Sequence, residues 1–250
     1  MFGLCRRSPS RFVTTRWSVL LAAQGDDAPA VARALDTLCS TYWSPLYVYA
    51  RRRGHSPHDA EDLTQSFFAA LLEKEYLRAA QSAKGPFRRF LLSCFKRFLA
   101  NAWDHQQRLK RGGAICTVPL DASLAERLYE DESVNRQSPD DAYETRWALS
   151  LLDRTLSRLR AEWCRSGKSS EFDILKTSLI AERGAICYSS LGGDLAASEA
   201  TVRVTVHRLR KRFREIFREE ILQTVPSDAD FQEEVRHLLA SLAKSLPTAP

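Results

Sequence analysis

From Lys84 to Arg111 the chain carries eight cations, Lys84, Arg88, Arg89, Lys96, Arg97, Arg108, Lys110 and Arg111, against the single acid Asp104. Phe95, Asn101 and Trp103 are interleaved with them. Cations at this density neutralise phosphates, and aromatic rings among them offer surfaces on which unpaired bases stack. Helical spacing sorts the segment into two sides. Phe87, Phe90, Leu91, Cys94, Phe98, Leu99 and Ala102 face a core, while Arg89, Lys96, Arg97, Asn101, Asp104 and Arg108 lie opposite, flanked by Phe95 and Trp103. An ordinary amphipathic helix with a solvated basic face has the same pattern, so the reading needs support from elsewhere.

A second basic block supplies some. Residues 188–195 fit a short helix, Ser198 caps another reaching about residue 218, and Ala196–Ala197 joins them as a helix-turn-helix. Val202, Val206, Leu209 and Phe213 turn inward; Glu199, Arg203, His207, Arg210 and Arg214 turn outward. The candidate duplex contacts are Ser198, Glu199, Thr201, Arg203, Val204, His207, Arg208, Arg210 and Lys211, and Glu199, Ala200, Arg203 and Val204 are placed to reach base edges in a major groove. Arg208, Lys211 and Arg212 are placed for phosphates. The alternative is a basic surface helix of an unrelated bundle. Gly192 and Gly193 weaken the first helix by about 1 kcal/mol each relative to alanine.

Between the blocks the sign reverses. Asp121, Glu126, Glu130, Asp131, Glu132, Asp140, Asp141 and Glu144 outnumber Arg127 and Arg136. Further upstream, Ser56-Pro57-His58-Asp59 opens a helix with a cap and a first-position proline. Ala60, Leu63, Phe67, Ala70 and Leu71 form its buried side; Glu61, Gln65, Phe68 and Leu72, with Asp62, line an acidic, partly aromatic stripe. That stripe suits a protein partner carrying basic and apolar groups, or is simply solvated.

Composition bounds the rest. At 250 residues and 44% hydrophobic the chain folds, and a net charge of +6 is compatible with a polyanionic partner. The six cysteines, Cys5, Cys39, Cys94, Cys116, Cys164 and Cys187, have no close pairing and read as buried reduced thiols, so the expected location is cytoplasmic. No apolar run has the length of a membrane span, and residues 1–11 lack the apolar stretch of a secretory signal. Gly167-Lys168-Ser169 resembles the end of a phosphate loop, but the earlier glycine is Glu162. His55 and His58 with Asp59 and Asp62 lack a further metal ligand, and no nucleophile–base set is present. The expectation is a protein that is no enzyme and has no cofactor and no metal.

The elements that position these residues are all helical. Periodicity predicts helices at 17–24, 28–49, 56–76 and 87–107, then from Trp147 to about Gly167, and at 172–181, 188–195, 198–218 and 231–246. Val202, Val204 and Val206 alternate as in a strand, but the longer helical register prevails. The expected fold is all-α, with two helical domains joined by an acidic linker and a helix-turn-helix in the second. Its parts are an extension at 1–11, a first domain at 12–111, a linker at 112–145, a second domain at 146–226 and a helical extension at 227–250.

Over roughly Phe12–Val225 the chain resembles a bacterial RNA polymerase sigma factor of the extracytoplasmic-function type. The most specific stretches are Asp59-Ala60-Glu61-Asp62-Leu63-Thr64-Gln65-Ser66-Phe67-Phe68, residues 87–111 and residues 188–214. Thr15-Arg16-Trp17, Tyr42-Trp43-Ser44-Pro45-Leu46-Tyr47 and Lys110-Arg111-Gly112-Gly113 are similar to one branch of that family. The resemblance implies that 12–111 is region 2-like and 146–226 region 4-like, with core RNA polymerase and promoter DNA as partners. Asp59, Glu61, Asp62, Gln65 and Phe68 would contact the β′ clamp helices, and the β flap would be a further contact. Lys84, Arg89, Lys96, Arg97, Asn101, Trp103, Arg108, Lys110 and Arg111 would hold the −10 element, Asn101 accepting a flipped base. The residues from Ser198 to Lys211 named above would read the −35 element. Such factors can answer to an anti-sigma regulator.

Ala196 stands where the family's turn has glycine. In the family the linker threads toward the active-site cleft, where Glu130-Asp131-Glu132 could mimic nucleic acid; a solvated linker is the alternative. Phe231, Val235, Leu238, Leu239 and Leu242 suit docking of the extension on the second domain, or a regulator. A helix-turn-helix regulator acting without polymerase is the competing reading of the whole chain.

Overall fold

Ser138 and Pro139 decide where the longest helix begins. The Ser138 hydroxyl accepts the Asp141 backbone N–H at 3.1 Å, and Pro139 fills the first helical position, where its missing N–H is no loss. Asp140 and Asp141 then lie in the first turn, where the helix dipole favours acids. Residues 139–145, expected in an irregular linker, are therefore helical.

The computed structural model describes residues 28–71, 85–106, 126, 138–182, 184–225 and 227–243. Among them are eight α-helices and no strand: α1 (Ala28–Arg52), α2 (Pro57–Leu71), α3 (Phe87–Gln106), α4 (Pro139–Arg165), α5 (Ser169–Leu175), α6 (Tyr188–Asp194), α7 (Glu199–Leu222) and α8 (Phe231–Ala243). Short 3-10 segments follow α5, at Lys176–Leu179, and precede α8, at Asp228–Asp230. The helix expected at 172–181 is thus an earlier, shorter α-helix that tightens into a 3-10 turn. The helix expected at 17–24, the 1–11 extension, and residues 130–132 lie outside the described residues. Val202, Val204 and Val206 are helical, within α7.

Two apolar clusters hold these helices. The larger joins Leu38, Tyr42 and Leu46 of α1, Phe67 of α2, Phe87, Leu91 and Phe95 of α3, Tyr143, Trp147 and Leu151 of α4, Ile221 of α7 and Leu238 of α8. The smaller joins Leu159, Phe172, Leu175, Val202, Val206, Leu209 and Ile216. Helices α4 and α7 run through both clusters. The larger core therefore draws on helices from both sides of the acidic segment. Parting α1 from α4 would expose Tyr42, Trp43, Leu46, Tyr143, Trp147 and Leu151, all buried. At about 1.5–3 kcal/mol per side chain that is on the order of 10 kcal/mol, comparable to the whole stability of a domain.

Ion pairs lace α4 to α7 along their length. Arg158 reaches Glu219 and Glu220 at 2.7 Å each, Arg154 reaches Glu220 at 3.2 Å, and Arg212 grips Glu162 through two bonds of 2.7 and 2.8 Å. Glu220 is almost fully buried, and two guanidiniums supply its counter-charge. Helix α8 docks intramolecularly. Leu238 enters the larger core and Phe231, Val235 and Leu242 pack against it, whereas Leu239 points outward.

The cysteines divide. Cys39 and Cys94 are buried, and burial pushes their thiols up to about 12 and about 11. Cys164 and Cys187 are exposed, contrary to the expectation of buried thiols. Hydrogen bonds from Ser189 and Ser190 lower the Cys187 thiol. No helix among the described residues is long and apolar enough to cross a membrane.

Candidate nucleic-acid interface

Helix α3 starts where the backbone turns at Gly85, whose φ of 95° suits glycine, followed by Pro86. Its inner face is sealed by Phe87, Leu91 and Phe95. Arg89, Lys96, Arg97 and Asn101 are exposed on the other side. Phe95 was expected to flank this cationic face with aromatic surface. It instead packs edge-on against Phe67 at 5.0 Å and Tyr49 at 6.0 Å, fully buried. Trp103 belongs to α3, but its side chain, like Lys84, Arg108, Lys110 and Arg111, is outside the described residues.

Arg88, counted with the basic block, is not a surface cation. It is fully buried, its Nε donating to Glu144 at 2.6 Å and its Nη1 to both Glu234 oxygens at 2.6 Å. Its guanidinium carbon sits 4.8 Å from the Trp147 ring centre. The Tyr143 hydroxyl donates to the Arg88 carbonyl at 3.0 Å. Burial raises the Glu234 carboxyl, with Arg88 opposing. Burial and the Arg88 charge lower His237, whose Nε2 lies 3.2 Å from Glu144.

Lys96 shares its face with an acid from α4. Asp140 meets its ammonium at 2.6 Å, and the same ammonium lies 5.8 Å from the Tyr49 ring centre. Beside them opens a hollow of about 700 Å³ lined by Tyr49, Arg53, His55, Lys96, Leu99 and Asp140. A second acidic contact falls on α1. Arg51 holds Glu126 at 2.7 and 3.0 Å, and the Tyr47 hydroxyl donates to the same carboxylate. The Arg51 bonds lower the Glu126 carboxyl. In the sequence Glu126 counted only as charge, and nothing in its spacing pointed to Arg51.

The acidic stripe of α2 is only partly as expected. Ser56 caps the helix through the Asp59 N–H at 3.1 Å and donates to its carboxylate at 2.7 Å. Asp59 is exposed; Glu61, Asp62 and Gln65 are half-exposed, with Gln65 donating to Glu61 at 3.1 Å. Phe68 is 3% exposed and tilts against Phe67, so the stripe presents acids without the aromatic ring.

Helix α7 begins at Ser198, which accepts the Thr201 N–H at 3.2 Å. Val202, Val206 and Leu209 are buried beneath it, while Glu199, Thr201, Arg203, Val204, His207, Arg208 and Lys211 are exposed. Arg203 pairs with Glu199 at 2.5 Å and lies over the Tyr188 ring at 4.5 Å, a stacking partner from α6 that periodicity could not reveal. Arg210 is committed to the fold. It donates to the carbonyls of Ser178 and Ala181, both at 2.6 Å, and fixes the loop leading to α6. Arg212, expected at phosphates, is taken up by Glu162. Between α7 and that loop runs a groove of about 650 Å³ lined by Tyr188, Arg203, His207, Arg210, Phe213 and Arg214.

The turn between α6 and α7 explains one glycine. A Cβ on Gly192 would lie 2.8 Å from the Ala197 carbonyl oxygen, so the turn closes only because that atom is missing; the Ala197 N–H also bonds the Gly192 carbonyl at 2.9 Å. Ala196 takes the left-handed conformation, φ 48°, that glycine would adopt more easily. Compared with known proteins, the chain matches no family model, no curated protein and no solved structure.

Proposed function

We propose that the protein is a sigma factor that directs core RNA polymerase to promoters and opens their −10 region. In this reading α6 and α7 form a helix-turn-helix on the −35 duplex, and the exposed cations of α3 with Asn101 hold the opened strand. The α2 acids meet the β′ clamp helices. The protein performs no catalysis; the polymerase does the chemistry, in the cytoplasm.

The observation that carries the reading is the exposed run Glu199, Arg203, Val204, His207, Arg208 and Lys211 on a capped helix whose opposite face is buried. Among those cations Val204 is 50% exposed. On a base-reading helix an apolar side chain at that place can meet the thymine methyl.

One observation favours the competing reading of a regulator that binds DNA without polymerase: Phe68 is buried and leaves the proposed polymerase contact purely polar. Run-off transcription with purified chain, core polymerase and a genomic library separates them. Discrete start sites that need the chain support the sigma factor. Sequence-specific DNA binding without polymerase capture or transcripts supports the regulator.

A further inference from the structure

We propose that the hollow beside Lys96 is a docking site for the chain's own acidic stretch, Glu130-Asp131-Glu132. Its lining is mainly cationic: Arg53 and His55, on either side of Gly54 just past α1, join Lys96 of α3, and Tyr49, Leu99 and Ala100 complete the wall. Arg53 is exposed and has no ion-pair partner among the described residues. Asp140 is the acid of the lining, and it already pairs with Lys96 at 2.6 Å. Two acids fix where the stretch leaves and returns. Upstream, Glu126 is held on α1 by Arg51 and Tyr47, and the same Arg51 donates to the His55 carbonyl at 2.6 Å. Downstream, Asp140 follows the Ser138 cap and sits in the hollow itself. Residues 127–137, outside the described residues, thus connect two anchors that both adjoin the same cations.

Reach and charge both fit. Glu130, Asp131 and Glu132 follow Glu126 so closely that even an extended chain carries them no more than about 20 Å from it. They form three contiguous carboxylates, with Arg127 and Arg136 set apart from them. Exposed pairs of this kind are weak between separate molecules. Tethered at both ends, they act at an effective concentration on the order of millimolar, which keeps the contact populated. The docking stands on this geometry alone. Its consequence rests on the reading of α3 just given: a DNA strand that approaches Lys96 must displace residues 130–132 as well as Asp140.

The test uses the full chain carrying Asp140→Asn, which removes the acid already seen on Lys96. A carbodiimide joins the Lys96 amine to any carboxylate in contact with it, and peptide mass mapping identifies that acid. Docking gives a link from Lys96 to residue 130, 131 or 132 within one chain, at a yield that dilution does not change. Replacing the three acids with serine abolishes it. No link to these residues overturns the docking, and so does a link formed only between chains, which would make a second copy the occupant. Thymidine-rich single-stranded DNA then separates the docking from the strand-binding reading. With both in place, the oligonucleotide lowers the link yield about threefold or more, and the triple-serine variant binds it several-fold tighter at low salt. A link that forms and ignores the oligonucleotide retains the docking and removes the strand assignment of α3.

Discussion

The Arg88 guanidinium lies 2.6 Å from the Glu234 carboxylate although 146 residues separate them in the chain. A cation that charge counting places on a nucleic-acid face instead fastens α3 to the C-terminal helix. Truncating it strands a buried carboxylate, so Arg88→Ala should lower unfolding free energy by about 3–5 kcal/mol in urea titrations. Replacing the pair together, Arg88→Met with Glu234→Leu, should recover most of that loss. A double variant as unstable as the single one would mean the site contributes through shape rather than charge.

His237 should make stability fall in mild acid. Its folded pKa is lowered from 6.5, chiefly by burial and then by the Arg88 charge, with Glu144 pulling the other way and Arg89 adding to the depression. A base with a depressed folded pKa favours the folded state only while neutral. The unfolded chain takes up the proton first as pH drops through 6.5, and stability declines there. His237→Asn should flatten the urea-midpoint curve between neutral pH and about pH 5. Glu234, whose carboxyl is raised, works in the opposite direction but does so in both proteins, so the comparison with His237→Asn isolates the histidine.

Gly192 and Gly193 should behave differently although they are adjacent. Gly192→Ala drives a Cβ to 2.8 Å from a backbone carbonyl that the turn holds in place, and should cost about 1–3 kcal/mol. An alanine Cβ at Gly193 meets nothing within 4 Å, so Gly193→Ala should leave stability unchanged or raise it by up to about 1 kcal/mol. Thermal melts of the two variants give the comparison; equal shifts would refute the turn geometry.

These cases show which parts of the molecule the residue pattern carries. The helices were legible because apolar periodicity and caps are local: Ser56, Ser138 and Ser198 each bond within three residues. The inner face of α7 was legible for the same reason. Long-range contacts were not. Arg88, Arg212 and Phe95 occupy sequence positions that look like surface, and only packing against α4, α8 and α1 decides otherwise. Gly192 read as a helix weakener because propensity has no term for a carbonyl approaching from the next turn. Phe68 was misplaced because the buried side of α2 is broader than a two-residue-wide stripe, with Phe67 and Phe68 both inside.

If α7 reads duplex DNA as proposed, Arg203 meets it already held by its neighbours. Glu199 at 2.5 Å and the Tyr188 ring at 4.5 Å restrict its rotamers before any DNA arrives. Arg203→Ala should weaken binding to the preferred duplex by about 1–3 kcal/mol and leave random-sequence binding almost unchanged. Equal losses on both, measured by anisotropy at fixed salt, would reassign the side chain to a phosphate.

Asp140 should act as a competitor of DNA phosphate for Lys96. The two meet at 2.6 Å, and both side chains remain about half-exposed, so the pair contributes little to stability and can be exchanged. With the carboxylate in place, a strand phosphate must displace Asp140 to reach the ammonium, and without that contact the cation condensed on the phosphate stays bound to the strand. Asp140→Asn should therefore tighten binding of single-stranded DNA by several-fold at low salt. It should also steepen the dependence of log affinity on log salt by about 0.7, the increment for one further phosphate contact on a single strand. Lys96→Gln in the same background should cancel both changes. Tighter binding with an unaltered salt slope would place the effect on bulk charge rather than on this pair.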